Sequence, residues 1–161
     1  MGTVAARVIS PVISFGQVRL ELDTDVVVAA MRSPSGASAA LITLLSLGHG
    51  TLLVSSAMAM EYEAVCCREK HLDAVPGGIR QVKEFLDDLL LLAEEVRIYF
   101  NWRPLLPDPG DELVLAAAIN GRADGLVSFN IKHFEGAPER FGVALLTPGE
   151  ALRRLRRNVK L

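Results

Sequence analysis

Three carboxylates, far apart in the chain, set the chemistry this sequence can do. Asp23 ends the stretch Leu20-Glu21-Leu22, Glu61 stands in Ala59-Met60-Glu61-Tyr62-Glu63, and Asp111 closes the turn Asp108-Pro109-Gly110-Asp111. Ser128 and Asn130, in Val127-Ser128-Phe129-Asn130, add neutral oxygens. Each has an ordinary reading when taken singly. Asp, Ser and Thr accept the free N–H groups of a helix start, so Asp23, Thr24 and Asp25 suit a cap. A Pro/Gly turn commonly ends in one, and a lone helical Glu is usually solvated. Gathered at one edge, the same groups say more. Two carboxylates about 4 Å apart repel by roughly 4 kcal/mol at an effective dielectric near 20. Bringing several together requires a cation or raised pKa values. Oxygen ligands without clustered His or Cys suit Mg²⁺ or Mn²⁺. Such an ion polarises a phosphoryl oxygen and acidifies a bound water. That is phosphodiester hydrolysis, with no serine or cysteine nucleophile.

The elements between these residues alternate. Val18, Leu20 and Leu22 alternate with Arg19 and Glu21, which predicts a strand ending at Asp23. A helix follows from Val26, broken at Ser33-Pro34-Ser35-Gly36 and resumed over 37–47, where Gly48 and Gly50 stop it. A strand over 51–55 leads to a helix capped by Ser56 and running to about Lys70. An amphipathic helix over 79–95 precedes a third strand over 96–99. The proline-rich 102–110 is a loop, and Asp111 caps a helix over 112–120. Strands over 125–128 and 143–146 and a helix opened by Pro148 complete the chain. Alternating strands and helices predict a three-layer α/β/α sandwich around a parallel sheet of about five strands. Ligands of such sheets bind beyond the carboxyl ends of the strands. Asp23 and Asn130 fall at such ends, and Asp111 opens the helix leading into the fourth strand.

The 161 residues suffice for one domain with a real core, not comfortably for two. We expect an N-terminal extension over 1–16, the domain over 17–157 and a short tail over 158–161. Net charge is −2, which excludes binding nucleic acid by bulk charge alone. Cys66 and Cys67 are adjacent, match no zinc spacing and read as reduced residues of a cytoplasmic protein. No apolar run reaches the length of a membrane span, and 1–16 lacks the continuous apolar core of a secretory signal.

The quoted segments resemble a known family. Leu22-Asp23-Thr24-Asp25-Val26 with Ala30-Met31-Arg32-Ser33-Pro34-Ser35-Gly36 looks like the opening of PIN-domain proteins, the nearest group being VapC-type toxin components of bacterial toxin–antitoxin systems. Leu53-Val54-Ser55-Ser56 through Glu61-Tyr62-Glu63 resembles the second motif, and Asp108 to Ala116 the third. Ala123 to Asn130 with His133-Phe134 resembles the fourth, and Leu146-Thr147-Pro148-Gly149-Glu150 the ending. The resemblance implies a metal-dependent endoribonuclease with Asp23, Glu61 and Asp111 as metal ligands and catalytic acids, completed by Asn130 and Ser128. It also implies an RNA substrate, a possible antitoxin partner and homodimerisation. Thr24, Asp25 and Arg32 become possible substrate contacts. Asp25 stands where the family often has Asn, and Asn130 where it often has Asp, which puts a second metal ion in question.

The remaining polar residues have plainer expected roles. Glu63, Asp108 and Glu112 read as surface or capping groups, with Asp108 the natural spare acid. His133 reads as locally bonded before it reads as a general acid, His49 and His71 as exposed helix-end residues, Trp102 as packed, and Arg153, Arg154, Arg156 and Arg157 as surface charge. The apolar 26–47 stretch is expected to exceed what one small domain buries, which favours a homodimer. Three rival readings are a haloacid-dehalogenase-type phosphatase with Asp23 as nucleophile, a receiver domain, and a non-catalytic PIN-fold module binding RNA or an antitoxin. The first lacks the glycine and threonine expected where Val26 and Val27 stand; the second lacks its acceptor Asp and its Lys.

Overall fold

Parallel strands with near-continuous apolar sequences must be covered on both faces, and this chain builds that arrangement. A computed structural model describes residues 16–101 and 105–159. The elements run β1 (Arg19–Leu22), α1 (Thr24–Arg32), α2 (Ala37–Ser46), β2 (Thr51–Ser55), α3 (Ser56–Cys66), α4 (Glu69–Leu72), α5 (Gly78–Leu92), β3 (Glu94–Val96), α6 (Pro109–Asn120), β4 (Gly125–Val127), α7 (Ile131–Phe134), β5 (Ala144–Leu146) and α8 (Pro148–Asn158). All pairings are parallel, in the order β3-β2-β1-β4-β5. β1 is central. The chain builds outward from it through β2 and β3, then returns to its other side with β4 and β5. The reversal leaves a crevice between the carboxyl ends of β1 and β4, where ligands of open α/β sheets bind.

Pairing sets which side chains share a face. Glu21, Leu53 and Leu126 are in register on one side, and Leu53 and Val96 lie under the end of α6. The other side is covered by α8 and α2, which pack on each other. Gly50 shows how closely: a Cβ there would stand 3.0–3.1 Å from Leu45, Leu155 and the Val18 carbonyl. Leu20, Leu22, Leu41, Leu52, Leu53, Met58, Tyr62, Leu89, Leu115, Leu126, Phe134 and Leu155 form the fully buried core.

Several boundaries differ from the sequence reading. The third strand is Glu94–Val96, not 96–99, because pairing with β2 fixes its register and Ile98 and Tyr99 are left exposed. A polar edge strand carries no alternation from which to read that register. The third helix ends at Cys66, and Glu69–Leu72 forms a separate turn. The caps sit one to three residues earlier than expected: Ser55 accepts from Met58 N at 3.2 Å, and Asp108, not Asp111, caps α6. Apolar side chains over 26–47 are mostly buried, since α1 and α2 pack on each other and α2 on α8. Exposed apolar side chains include Leu47 at the end of that stretch and, outside it, Met60 and Leu91. Both cysteines are free thiols, and burial pushes the Cys66 thiol up to about 12. Among the described residues no single helix is long and apolar enough to cross a membrane. The expected roles of 1–15, Trp102 and 160–161 lie outside the described residues.

Candidate active site

Asp23 leaves β1 at the crevice and immediately starts α1. Its Oδ1 accepts from Thr24 N at 2.8 Å, and its Oδ2 accepts from Ser128 Oγ at 2.6 Å. Capping and site formation are therefore one arrangement, not alternatives. Ser128 leaves β4 and is wholly buried. Its Oγ also accepts from Asn130 N at 2.9 Å, which turns the chain toward the cavity. The carboxylate of Asp25 spans the same crevice: Oδ2 accepts from Phe129 N at 3.1 Å and Asn130 Nδ2 at 3.2 Å. A third contact, with Ser128 Oγ, is 3.4 Å long, and the single hydroxyl proton belongs to the shorter bond with Asp23. Asp25 Oδ1 is buried and has no partner among the described residues.

Asp111 reaches this place from α6. Asp108 turns the chain into that helix, its Oδ1 accepting from Gly110 N at 2.7 Å. Asp111 then faces Asp23 across the crevice, with His133 Nδ1 at 3.3 Å from its Oδ2. The sequence favoured local bonding for His133; the structure places it against a candidate acid, and only the pairing across α6 and α7 reveals that. Glu112, expected as a surface or capping group, is buried. Its Oε1 accepts from Leu105 N at 2.6 Å and from Leu106 N, fixing the loop ahead of α6.

These acids disturb one another. Burial raises the Asp23 pKa, against the bonds from Ser128 and Thr24 that lower it. Burial and then the charge of Asp23 push Asp25 up to about 6. Burial, then Asp108 and Asp23, raise Asp111, with His133 opposing. Such shifts mark sites where charge is held at a cost. Beneath them Glu21 is fully buried, neither carboxylate oxygen has a partner among the described residues, and burial holds its pKa well above the ordinary range.

A cavity of about 570 Å³ opens over this crevice. Asp23, Thr24, Asp25, Arg32, Glu61, Asp111 and Asn130 all line it, with Ser128 directly below. Three remote segments thus line one cavity. Glu61 arrives from α3 on the same cavity but makes no hydrogen bond to the other acids. Among the described residues, no three His, Cys, Asp or Glu groups stand close enough together to cage a metal ion. The donor chemistry nevertheless suits a hard cation: Mg²⁺ keeps most of its waters and needs only one or two carboxylates. The charge of Asp23 helps raise the Asp111 pKa, and that of Asp108 raises both, as acids needing positive charge do. The cavity also has residues the sequence reading missed. His71, expected to be exposed, is buried, and Arg68 and Lys70 line the wall beside it. The run Arg68-Glu69-Lys70-His71 was a visible basic cluster, but nothing in the sequence placed it near the acids.

No curated protein matches the chain. A family model described as the PIN domain matches residues 19–132. That span runs from β1 into α7 and includes Asp23, Glu61, Asp111, Ser128 and Asn130, so the chain belongs to the PIN-domain family.

Proposed function

We propose that the protein is a divalent-metal-dependent endoribonuclease acting as the toxin component of a toxin–antitoxin pair. PIN domains are generally nucleases; metal, RNA and toxin role are the finer reading. One observation carries it: Asp23 and Asp111, from elements 88 positions apart in the sequence (111 − 23), face the same cavity at the sheet's switch point, each with a raised pKa. These two would hold Mg²⁺ or Mn²⁺. When bound, the ion supplies a Lewis acid for the phosphoryl oxygen and a water of lowered pKa. Glu61, on the α3 side of the cavity, would ligate or orient that water as a base. Ser128 holds Asp23 in one rotamer, and Asn130 closes the crevice through Asp25. Asn130 Nδ2 is committed to Asp25, which leaves its amide oxygen for the cavity.

An antitoxin would act by covering the acidic side of this cavity, where Thr24 and Asp25 also stand. Homodimerisation belongs to the same proposal, supported by exposed Leu47, Met60 and Leu91; light scattering on the purified chain reads it. The test of the enzyme is cleavage of mixed RNA with Mn²⁺, compared with Asp23→Asn and with excess chelator. Cleavage by the wild type alone, abolished by chelator, is the expected result; equal cleavage by the variant overturns the assignment. The competing reading is a non-cutting module that binds RNA or an antitoxin, favoured by the lack of a three-group metal cage among the described residues. RNA binding without cleavage under any divalent metal selects it.

A further inference from the structure

The cavity that holds the acids is also lined by cations that the proposed cleavage chemistry leaves unused. Arg32 ends α1, Arg68 precedes α4, and Lys70 and His71 lie within α4. Two described arginines are ion-paired, Arg19 with Glu94 and Arg80 with Glu84, while others, such as Arg156 and Arg157 on α8, are not. Among the described residues Arg32, Arg68 and Lys70 have no carboxylate partner, although four acids line the same cavity. Arg32 is oriented in another way. Its Nη1 lies 3.2 Å from His71 Nδ1. Arginine has only donors, so His71 accepts here and carries its own proton on Nε2. His71 is 7% exposed, which makes it a fixed post and not a mobile surface ring. Burial, with Lys70, Arg32 and Arg68 nearby, lowers its pKa below the ordinary histidine value. A guanidinium oriented beforehand loses less rotamer freedom when it meets an anion.

The chain carries a net charge of −2 and gathers acids at the crevice, so bare carboxylates alone would repel a polyanion. We infer that Arg32, Arg68 and Lys70 form a phosphate-binding subsite, gripping a phosphodiester of single-stranded RNA adjacent to the one that meets the acids. The inference rests on the nuclease reading for the identity of the polyanion. A 570 Å³ cavity suits one strand rather than a duplex. Arg32 supplies the directional, two-pronged contact, while Arg68 and Lys70 supply charge.

The experiment is fluorescence anisotropy of a labelled single-stranded RNA oligonucleotide over a salt series, with all chains carrying Asp111→Asn so that the strand is not consumed. Arg68→Gln/Lys70→Gln removes two exposed cations without touching the core; Arg156→Gln/Arg157→Gln on α8 removes the same charge elsewhere. Two lost contacts should reduce the slope of log K against log salt by about 1.4 and weaken binding about tenfold, single strands giving about 0.7 per phosphate. The α8 variant should keep the parent's slope. An unchanged slope in the first variant, an equal fall in the second, or no RNA binding by the parent overturns the subsite. RNA cleavage by the unaltered chain is scored separately. A chain that binds RNA through these cations but does not cut refutes the nuclease and leaves the subsite standing.

Discussion

The hydroxyl of Ser128 donates to Asp23 Oδ2 over 2.6 Å, although the two residues are 105 positions apart in the sequence. The bond crosses the seam between β1 and β4, and Asp23 N donates to Val127 O at 2.9 Å alongside it. It fixes the direction of the carboxylate on which the proposed chemistry depends. It also explains why a serine suffices here: any hydroxyl at the end of β4 meets the same oxygen.

Ser128→Ala should therefore destabilise the fold by about 1.5–3 kcal/mol, the usual worth of a hydrogen bond to a charged group. Ser128→Thr should recover most of that loss. Urea denaturation measures both, and cleavage should fall with the alanine variant because Asp23 is no longer held.

Asp23→Asn retains an oxygen for Thr24 N and one polar atom toward Ser128, so the cap on α1 survives. It removes a buried charge that repels Asp25 and Asp111. Its thermal midpoint should equal or exceed that of the wild type while RNA cleavage disappears. A cleaving Asp23→Asn protein, or one that fails to fold, contradicts this account.

The pH dependence has a definite sign. Asp25 has a folded pKa of about 6 against an ordinary 3.8. A raised acid contributes stability below its unfolded pKa and loses it as pH rises through its folded pKa. Asp23, Asp111 and Glu21 are raised as well, whereas the bond from Arg19 holds Glu94 low and works the other way. The metal-free protein should thus lose stability between about pH 4 and pH 7. In Asp25→Asn, whose amide oxygen can still accept from Phe129 N, the loss should be smaller. Denaturant midpoints across that range, with and without the substitution, give the answer.

Metal binding should reverse part of that loss. A cation that binds the native carboxylates alone raises the unfolding free energy by mass action. Mn²⁺ should raise the thermal midpoint at pH 8 more than at pH 5, where protons compete for the same oxygens. Asp111→Asn should abolish the difference. Calorimetry with chelator as the baseline reads it directly.

Glu21 makes a separate prediction. Its two oxygens are buried, without a partner among the described residues, on the strand paired in register with Leu53 and Leu126 in the centre of the sheet. Glu21→Leu should stabilise the protein at neutral pH by about 1–3 kcal/mol, the ordinary cost of an unsatisfied buried polar group. Equilibrium unfolding in urea tests the sign.

The sequence by itself determined the order of elements and the residue types at the strand ends. An apolar run closed by Asp23, a Pro/Gly turn closed by Asp111 and a run closed by Ser128 are local patterns, and local patterns are what periodicity and cap chemistry encode. It also determined that the polar groups at these ends would be oxygen donors. Only the tertiary structure decided that Asp23, Asp25, Ser128 and Asn130 form one bonded unit, because strand order is a contest among long-range pairings that no local window contains. Only it paired His133 with Asp111 and turned His71 inward to hold Arg32. Edge strand β3 was misread for the same reason: its register comes from β2, and its own side chains are polar. Burial of Glu21 and Glu112 was invisible for a related one, since a charged residue is buried by what its neighbours cover and not by its own preference.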